Sequence, residues 1–371
     1  MTDQSFDHAK AEAFGDQLIG MLNQGSLALM TSIGHRTGLF DSMAGLAPST
    51  SQQIADAAGL NERYVREWLG AMLTGGFVDY SADSKMYWLP AEHAALLTRD
   101  AAPDNIAAFA QYIPLLGSVE DGIVDAFKNG GGVPYSGFPR FQEVMAEDSG
   151  QTVVPALLSD ILPLGDGLVE RLQAGIDVLD VGCGSGRALN IMAAEFPNSR
   201  FTGSDISEEG LEAGRSAAAS AGLSNLKFEV GDATDLGYSE QFDLITTFDA
   251  VHDQAAPDKV LASIGRALRS DGLYLMQDIK ASSEVQNNVD HPVGPFLYTI
   301  STMHCMTVSL AVGGKGLGTM WGRELALEML GSAGFANVEV KQLEHDFQNE
   351  YFLSTKYGTR SIDVVIARND E

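Results

Sequence analysis

The chain has 371 residues, 45% hydrophobic and 20% charged, with 40 glycines and 12 prolines, enough for two or three packed domains and unlike disordered, collagen-like or mucin-like composition. Against 50 Asp and Glu stand 23 Lys and Arg, a formal net charge of -27, so the overall field opposes nonspecific nucleic-acid binding, which draws on basic groups releasing phosphate counterions. Cys183 and Cys305 alone provide neither a disulfide framework nor a four-thiolate zinc site, and no metal is expected.

The N-terminus, MTDQSFDHAKAEAF, is polar and acidic, without the basic and apolar regions of a secretion signal. From Ala11 to Phe40, Phe14, Leu18, Met21, Leu22, Leu29, Met30 and Ile33 recur with a helical period. Pro48-Ser49-Thr50-Ser51 precedes QQIADAAGL, which reads as a short helix ending at Gly59. Asn61 then caps a second, with Val65, Trp68, Leu69, Met72 and Leu73 on one face. Phe77 to Tyr80 and Met86 to Leu89 flank a polar turn as two strands. Together these elements make a winged-helix pattern over Thr50 to Pro90. Its second helix offers only Arg63 and Arg66 beside Glu62 and Glu67, poor equipment for meeting phosphates, so packing or dimerisation is the expected use. Helical material continues through 105 to 128. The stretch GGGVPYSGFPRF then carries Tyr135, Phe138 and Phe141, aromatic surface that can line a cleft or simply be buried. A further helix is expected over Thr152 to Leu162, with the domain boundary near 165.

After the boundary, IDVLDV reads as a strand that opens into Gly182-Cys183-Gly184-Ser185-Gly186, followed by the helical stretch RALNIMAAEF. Glycines in such a turn let a ligand approach the backbone amides. A second strand, Arg200 to Gly203, leads to Asp205, nineteen positions after Gly186, where a carboxylate can accept both ribose hydroxyls of an adenosine group. The dinucleotide fingerprint G-x-G-x-x-G is not met, because Arg187 stands where its third glycine would fall, so a ligand without pyrophosphate fits better. Further strands are expected at Leu226 to Val230, Phe242 to Thr247, Leu273 to Asp278, Asn337 to Leu343 and Ser361 to Ala367, with the cofactor over the carboxyl ends of the parallel set.

At these residues the chain resembles the class I S-adenosylmethionine-dependent methyltransferases: VLDVGCGSGR is similar to their first motif, TGSDIS to the second and VGDATDL to the acidic turn after the third strand, over roughly residues 176 to 345. The resemblance implies an α/β, Rossmann-like domain with S-adenosyl-L-methionine as cofactor. Asp180 and the turn of Gly182, Cys183, Gly184 and Gly186 would hold the methionyl part, Asp205 beside Ile206 the ribose, Asp232 beside Ala233 the adenine, and Phe248 the pocket edge. SIGHRTGLFD, FDAVHDQAAP, FLYTISTMHCMTVSLA and GLGTMWG further resemble a bacterial group in which a mainly helical N-terminal winged-helix dimerisation domain precedes this fold. The expected division is 1–165 and 166–371, with a substrate insert at about 281–320.

The layout is also similar to small-molecule O-methyltransferases, which commonly place a catalytic histidine after the fifth strand. This chain has Asp278-Ile279-Lys280 there. His252, after the fourth strand near Asp249 and Asp253, is the candidate general base, with a structural hydrogen-bonding role as its alternative. Tyr298, Met303, His304 and Met306 of the insert, and His35 of the front region, are candidate acceptor-binding residues. Cys305 reads as a buried thiol, and Cys183 as a backbone element of its turn. The expectation is a cytoplasmic homodimer that methylates a small molecule, without membrane or nucleic-acid partners. A winged-helix regulator responsive to S-adenosylmethionine, without efficient catalysis, is the alternative.

Overall fold

The computed structural model describes residues 6–151, 153–356 and 362–364. They form two compact units, Met1–Leu115 and Leu116–Glu371. In the first, α1 (His8–Arg36) leads into α2 (Leu39–Ala44), α3 (Ser51–Ala58) and α4 (Glu62–Thr74), followed by the antiparallel pair β1 (Asp79–Ser81) and β2 (Met86–Trp88). Local chemistry sets these bounds. Thr50 and Gln53 form a reciprocal capping box at the start of α3, and the Asn61 side chain accepts from the Arg63 N–H at the start of α4. The amphipathic face of α4 buries Val65, Trp68, Leu69 and Met72 against Phe40, Ile54 and Val78. Trp68 adds a hydrogen bond from its indole nitrogen to the Met30 carbonyl at 2.8 Å. Farther back, α1 carries exposed Phe14, Leu18, Ile19, Met21 and Leu22.

The stretch 105–128 is not one helix: 3-10 turns at Ile106–Gln111 precede short helices Tyr112–Gly117 and Glu120–Asn129. Nor is 152–162 a regular helix, since one helical turn, Val153–Ala156, passes into a π turn at Leu157–Ile161 and a 3-10 turn at Leu162–Leu164. The unit boundary at Leu115 precedes the division read at 165. The reason is packing: Val153, Leu157, Ile161 and Leu164 share one core with Val178, Leu189 and Phe201 of the sheet unit.

That sheet has the order β10-β8-β9-β7-β6-β3-β4-β5, with β3 at Asp177–Val181, β4 at Arg200–Asp205, β5 at Leu226–Val230, β6 at Phe242–Phe248, β7 at Leu268–Ile279, β8 at Asn337–Lys341, β9 at Asn349–Thr355 and β10 at Ile362–Val364. All neighbours pair in parallel except β9, which runs antiparallel between β7 and β8. Successive residues of β3 serve opposite cores: Val178 joins the one just described, while Leu179 and Val181 face Ile264, Leu268, Trp321 and Leu330 on the other side. The chain starts at β3, moves outward through β4 and β5, and returns to β6 on β3's other side. This reversal opens a crevice at the strands' carboxyl ends. Tyr351 and Phe352 lie within β9. Of that expected final strand, only 362–364 falls within the described residues.

The segment after β7 folds as a helix Gly294–Ile300, a π turn Ser301–Cys305 and a helix Met306–Ala311. Single π turns in helices often mark functional positions. Among the described residues, no single helix is long and apolar enough to cross a membrane.

Candidate active site

The first group of residues lies along the crevice. Asp180, near the end of β3, is buried and accepts a hydrogen bond from the Thr246 hydroxyl of β6 at 2.7 Å. Burial lifts its carboxyl to about 7; the Thr246 bond opposes the rise and the charge of Asp205 adds to it. The turn that follows places Gly182, Gly184 and Gly186 at φ +73°, +52° and +62°. A side chain at Gly186 would strike Phe228, its Cβ meeting the ring at 2.3 Å, whereas nothing lies within 4 Å of a Cβ at Gly184. One glycine therefore seals the turn against β5, and the other has open space where a side chain would stand. Burial raises the Cys183 thiol, which keeps it protonated and suits a backbone role.

Asp205 closes the turn from β4. One carboxylate oxygen accepts the Gly184 N–H and the other the Ser207 N–H, each at 2.8 Å. Ile206 beside it is 81% exposed, an apolar surface of the kind an adenine ring covers. At the end of β5, Asp232 accepts from the Thr234 N–H and hydroxyl at 2.9 and 2.7 Å, which holds it below the usual carboxylate range. Ala233 and Phe248 are half-buried nearby in sequence to Asp232 and at the end of β6. A glycine turn, a fixed acid for ribose hydroxyls, an apolar ledge and an ionised acceptor for an amino group fit S-adenosylmethionine.

The second group is built where β6 and β7 end. His252 is buried, and its Nδ1 lies 2.9 Å from Asp278 Oδ1. The Trp321 indole N–H and the Ile279 amide donate to the same oxygen at 2.9 and 2.8 Å, while Asp278 Oδ2 has no hydrogen-bond partner among the described residues. Asp249, with a left-handed φ of +55°, sets its Oδ1 3.6 Å from His252 Nδ1. Burial disfavours a charged His252, but the carboxylates of Asp278 and Asp249 prevail and hold the imidazole well above its ordinary value. Burial likewise lifts Asp249 to about 7. The three groups bring ligand-capable atoms within 4.8 Å. Three hydrogen-bond donors already converge on Asp278 Oδ1, which makes the trio an acid–imidazole cluster.

Beside it, in the π turn, sit Cys305 and His304. His304 Nδ1 is 3.5 Å from Cys305 Sγ, and burial raises this thiol while the charge of His252 opposes the rise. The His304 ring stacks on Phe141 at 3.9 Å and 13°, with Phe138 and Tyr135 edge-on at 4.8 and 5.3 Å. Its Nε2 is buried without a hydrogen-bond partner among the described residues. Burial, aided by the charge on His252, lowers its pKa to about 3, so it stays neutral. Tyr135 donates its hydroxyl to Asp253, and Thr307 accepts the Val133 N–H at 2.8 Å. These contacts fasten the aromatic loop to the insert and the rim.

Several of the residues singled out in the sequence thus meet, and others do not. Met303 and Met306 flank His304 as half-buried side chains. Tyr298 instead receives a hydrogen bond from Asn288 at 3.1 Å within the insert. His35 is buried near the end of α1, in the front unit. Trp321 was not singled out; its only sequence signal is the GLGTMWG stretch, a lone buried indole that needs an acceptor.

Residues 172–305 match the family described as Methyltransferase domain, and residues 25–99 the Rv2258c-like winged HTH domain. A fatty-acid O-methyltransferase of Mycolicibacterium smegmatis is 31% identical over 112 residues, 30% of this chain and 40% of that protein. The chain therefore matches about two fifths of the curated relative's length. Among solved structures, PigF with SAH superposes with TM-score 0.68 at 18% identity, covering 95% of this chain and 100% of that one. Human N-acetylserotonin methyltransferase in complex with SAM does so with TM-score 0.64 at 16% identity, covering 96% and 100%. At such identities the likeness is one of fold. The chain joins a winged helix-turn-helix domain of the Rv2258c-like kind to a Rossmann-like methyltransferase domain of class I.

Proposed function

We propose that this protein transfers a methyl group from S-adenosylmethionine to a hydroxyl oxygen of a small-molecule acceptor held by the 281–320 segment, with His252 as the base. The observation that carries the reading is the adjacency, on one sheet rim, of an adenosyl-compatible crevice and a buried imidazole–carboxylate pair. Asp180, the Gly182–Gly186 turn, Asp205, Ile206, Asp232, Ala233 and Phe248 would hold the cofactor, which supplies an activated sulfonium methyl. The protein's own tasks are then to align the acceptor and remove its proton. Asp278 orients the His252 ring and raises its proton affinity, toward the range an alcohol or phenol requires. His304, Met303 and Met306 offer a mostly apolar surface with one polar nitrogen, the mixture small-molecule sites use.

The front unit serves to pair two chains. On α4, Arg63 and Arg66 are engaged by Glu67 and Glu62 at 2.6 and 3.1 Å, so neither basic group is free of a carboxylate to meet phosphate. Titration calorimetry of metal-stripped protein with S-adenosylmethionine and S-adenosylhomocysteine tests the cofactor reading, with one site per chain expected. Absence of heat for both would defeat it. A screen of hydroxy compounds, followed by His252→Ala, tests the base: retained turnover would remove His252 from that role.

A further inference from the structure

The stretch GGKGLGTMWG, residues 313–322, closes the insert and runs as a strap over the loop that carries His252. Lys315 and Gly318 donate their N–H groups to the carbonyls of Ala255 and His252 at 3.0 and 3.2 Å, and the Ser309 hydroxyl donates to the Gln254 carbonyl at 2.9 Å. The far end of the strap is anchored more firmly. The Trp321 carbonyl accepts the Ser283 hydroxyl at 2.6 Å, the Arg323 N–H donates to the Ala281 carbonyl at 2.9 Å, and the Arg323 guanidinium pairs with buried Glu350 of β9. Glu350 stands opposite Asp278 in the register of β7 and β9, so Trp321 and Arg323, two positions apart, address the two acids of one cross-strand pair. Gly322 between them has φ +81°, and a Cβ there would meet the Ser283 nitrogen at 2.0 Å, a turn that glycine alone allows without moving that backbone.

We propose that Trp321 is a positioning residue of the base: its indole N–H fixes which oxygen of Asp278 meets His252 and tempers the pull of that carboxylate on the imidazole proton. This rests on the reading of His252 as the base of a methyltransferase. The contacts of Asp278 are one-sided. Its Oδ1 collects the Trp321 N–H at 2.9 Å, the Ile279 amide at 2.8 Å and His252 Nδ1 at 2.9 Å, whereas Oδ2 has no partner among the described residues. The Ile279 amide is one residue along the same strand, so the indole is the donor brought from a separate element to hold this orientation. A donor on a carboxylate oxygen also takes up part of its negative charge, which weakens its hold on any other proton. The strap thus holds both halves of the pair, the main chain of His252 through Gly318 and the carboxylate of Asp278 through Trp321, and it is continuous with the insert that would receive the acceptor.

The ionisable groups that act on His252 are Asp278 from β7, Asp249 and Asp253 from the loop after β6, and Cys305 and His304 from the π turn. Trp321 carries no charge. Replacing it leaves that set of charges intact, so a change in the proton affinity of His252 reports the hydrogen bond to Asp278 and not the loss of an ion.

Trp321→Phe keeps a ring in place and removes the N–H. Nitrogen-15 spectra of the histidine-labelled full chain, titrated with base, follow His252, whose signals are assigned by their loss in His252→Gln. With one donor fewer on Asp278, the His252 titration should move up by roughly half a unit to one unit, toward tighter proton binding. In an Asp278→Asn background the same substitution should move it little, because the effect runs through the carboxylate charge. No upward shift in Trp321→Phe overturns the proposal. An equal shift in both backgrounds overturns it too, since water admitted beside the smaller ring would raise His252 whatever stands at 278. Should Trp321→Phe fail to fold, benzothienylalanine at position 321, with sulfur in place of the indole N–H and nearly the same volume, is titrated in both backgrounds with the same expected and refuting results. These titrations need neither cofactor nor acceptor. Absence of S-adenosylhomocysteine binding in calorimetry would therefore overturn the methyltransferase reading, while the coupling of Trp321 to His252 is decided by the spectra.

Discussion

Asp278 is the residue whose removal separates charge from hydrogen bonding at this site. Its Oδ1 receives His252 Nδ1–H, Trp321 Nε1–H and the Ile279 amide at 2.8 to 2.9 Å, all in buried surroundings. Asp278→Ala orphans three donors. At roughly 1 to 3 kcal/mol for each buried group left unpaired, and allowing for partial relaxation, the loss should be about 3 to 5 kcal/mol, the scale of breaking a buried ion pair from one side. Asp278→Asn keeps an acceptor oxygen and removes the charge, so about 1 to 2 kcal/mol is expected. The pH dependence follows from His252. Its folded-state pKa is raised above the unfolded value of about 6.5, so the stability it contributes is fully present below that value and is lost as pH rises through the folded one. The gap between wild type and Asp278→Asn, measured by urea unfolding from about pH 6 to 9, should narrow as pH increases. Asp278→Ala within about 1 kcal/mol of wild type, or a gap that widens with pH, would refute the assignment of Asp278 as the partner that charges His252.

Asp205→Ala should weaken S-adenosylhomocysteine binding by roughly 1 to 3 kcal/mol in calorimetry, because the ribose acceptor and the tie to the Gly184 and Ser207 amides go together; unchanged affinity would show that Asp205 does not grip the ligand. Light scattering should report a dimer for the full chain, and Leu18→Glu combined with Leu22→Glu should shift it toward monomer, since Phe14, Leu18, Met21 and Leu22 stand exposed at helical spacing along α1. A monomeric wild type defeats the pairing proposal, and sequence-specific duplex binding at physiological salt would return the regulator reading.

What could be read from the sequence is local. The cap residue Asn61, the apolar face of α4 and the strand–glycine turn–helix of 177–195 are each specified within about a dozen positions, so periodicity and turn chemistry suffice. The strand β9 escaped because its pairing is remote. It inserts antiparallel between β7 and β8, and six consecutive residues, Asn349–Ser354, are buried, so the alternation that announces a half-exposed strand is missing. The packing of 153–164 against the sheet escaped for a related reason: a glycine-rich break after Leu164 marks a turn, not the edge of a core.

The same distinction governs the active site. In the resembling O-methyltransferases the histidine follows the fifth strand of the fold, and at that position this chain has Asp278. His252 follows the neighbouring strand. Comparison position by position makes the base seem lost, but sheet register brings the two residues together: Phe248 pairs with Gln277, so a residue shortly after the end of β6 and one at the end of β7 emerge on the same rim. An imidazole and a carboxylate can exchange strands across such a pairing and still meet at 2.9 Å. The chemistry belongs to the pair, and its placement is a property of adjacent strand ends. Trp321 and the aromatic loop at 135–141 contribute from beyond the strands, at separations of 43 residues from Asp278 and well over a hundred from His304. No motif of fixed spacing can encode contacts of that length. Their signal is instead a physical requirement, that a buried indole N–H must find an acceptor and a buried imidazole nitrogen must find a donor. Trp321 meets it within the fold. Among the described residues His304 Nε2 does not, so the sequence carries no partner from which its place could be read.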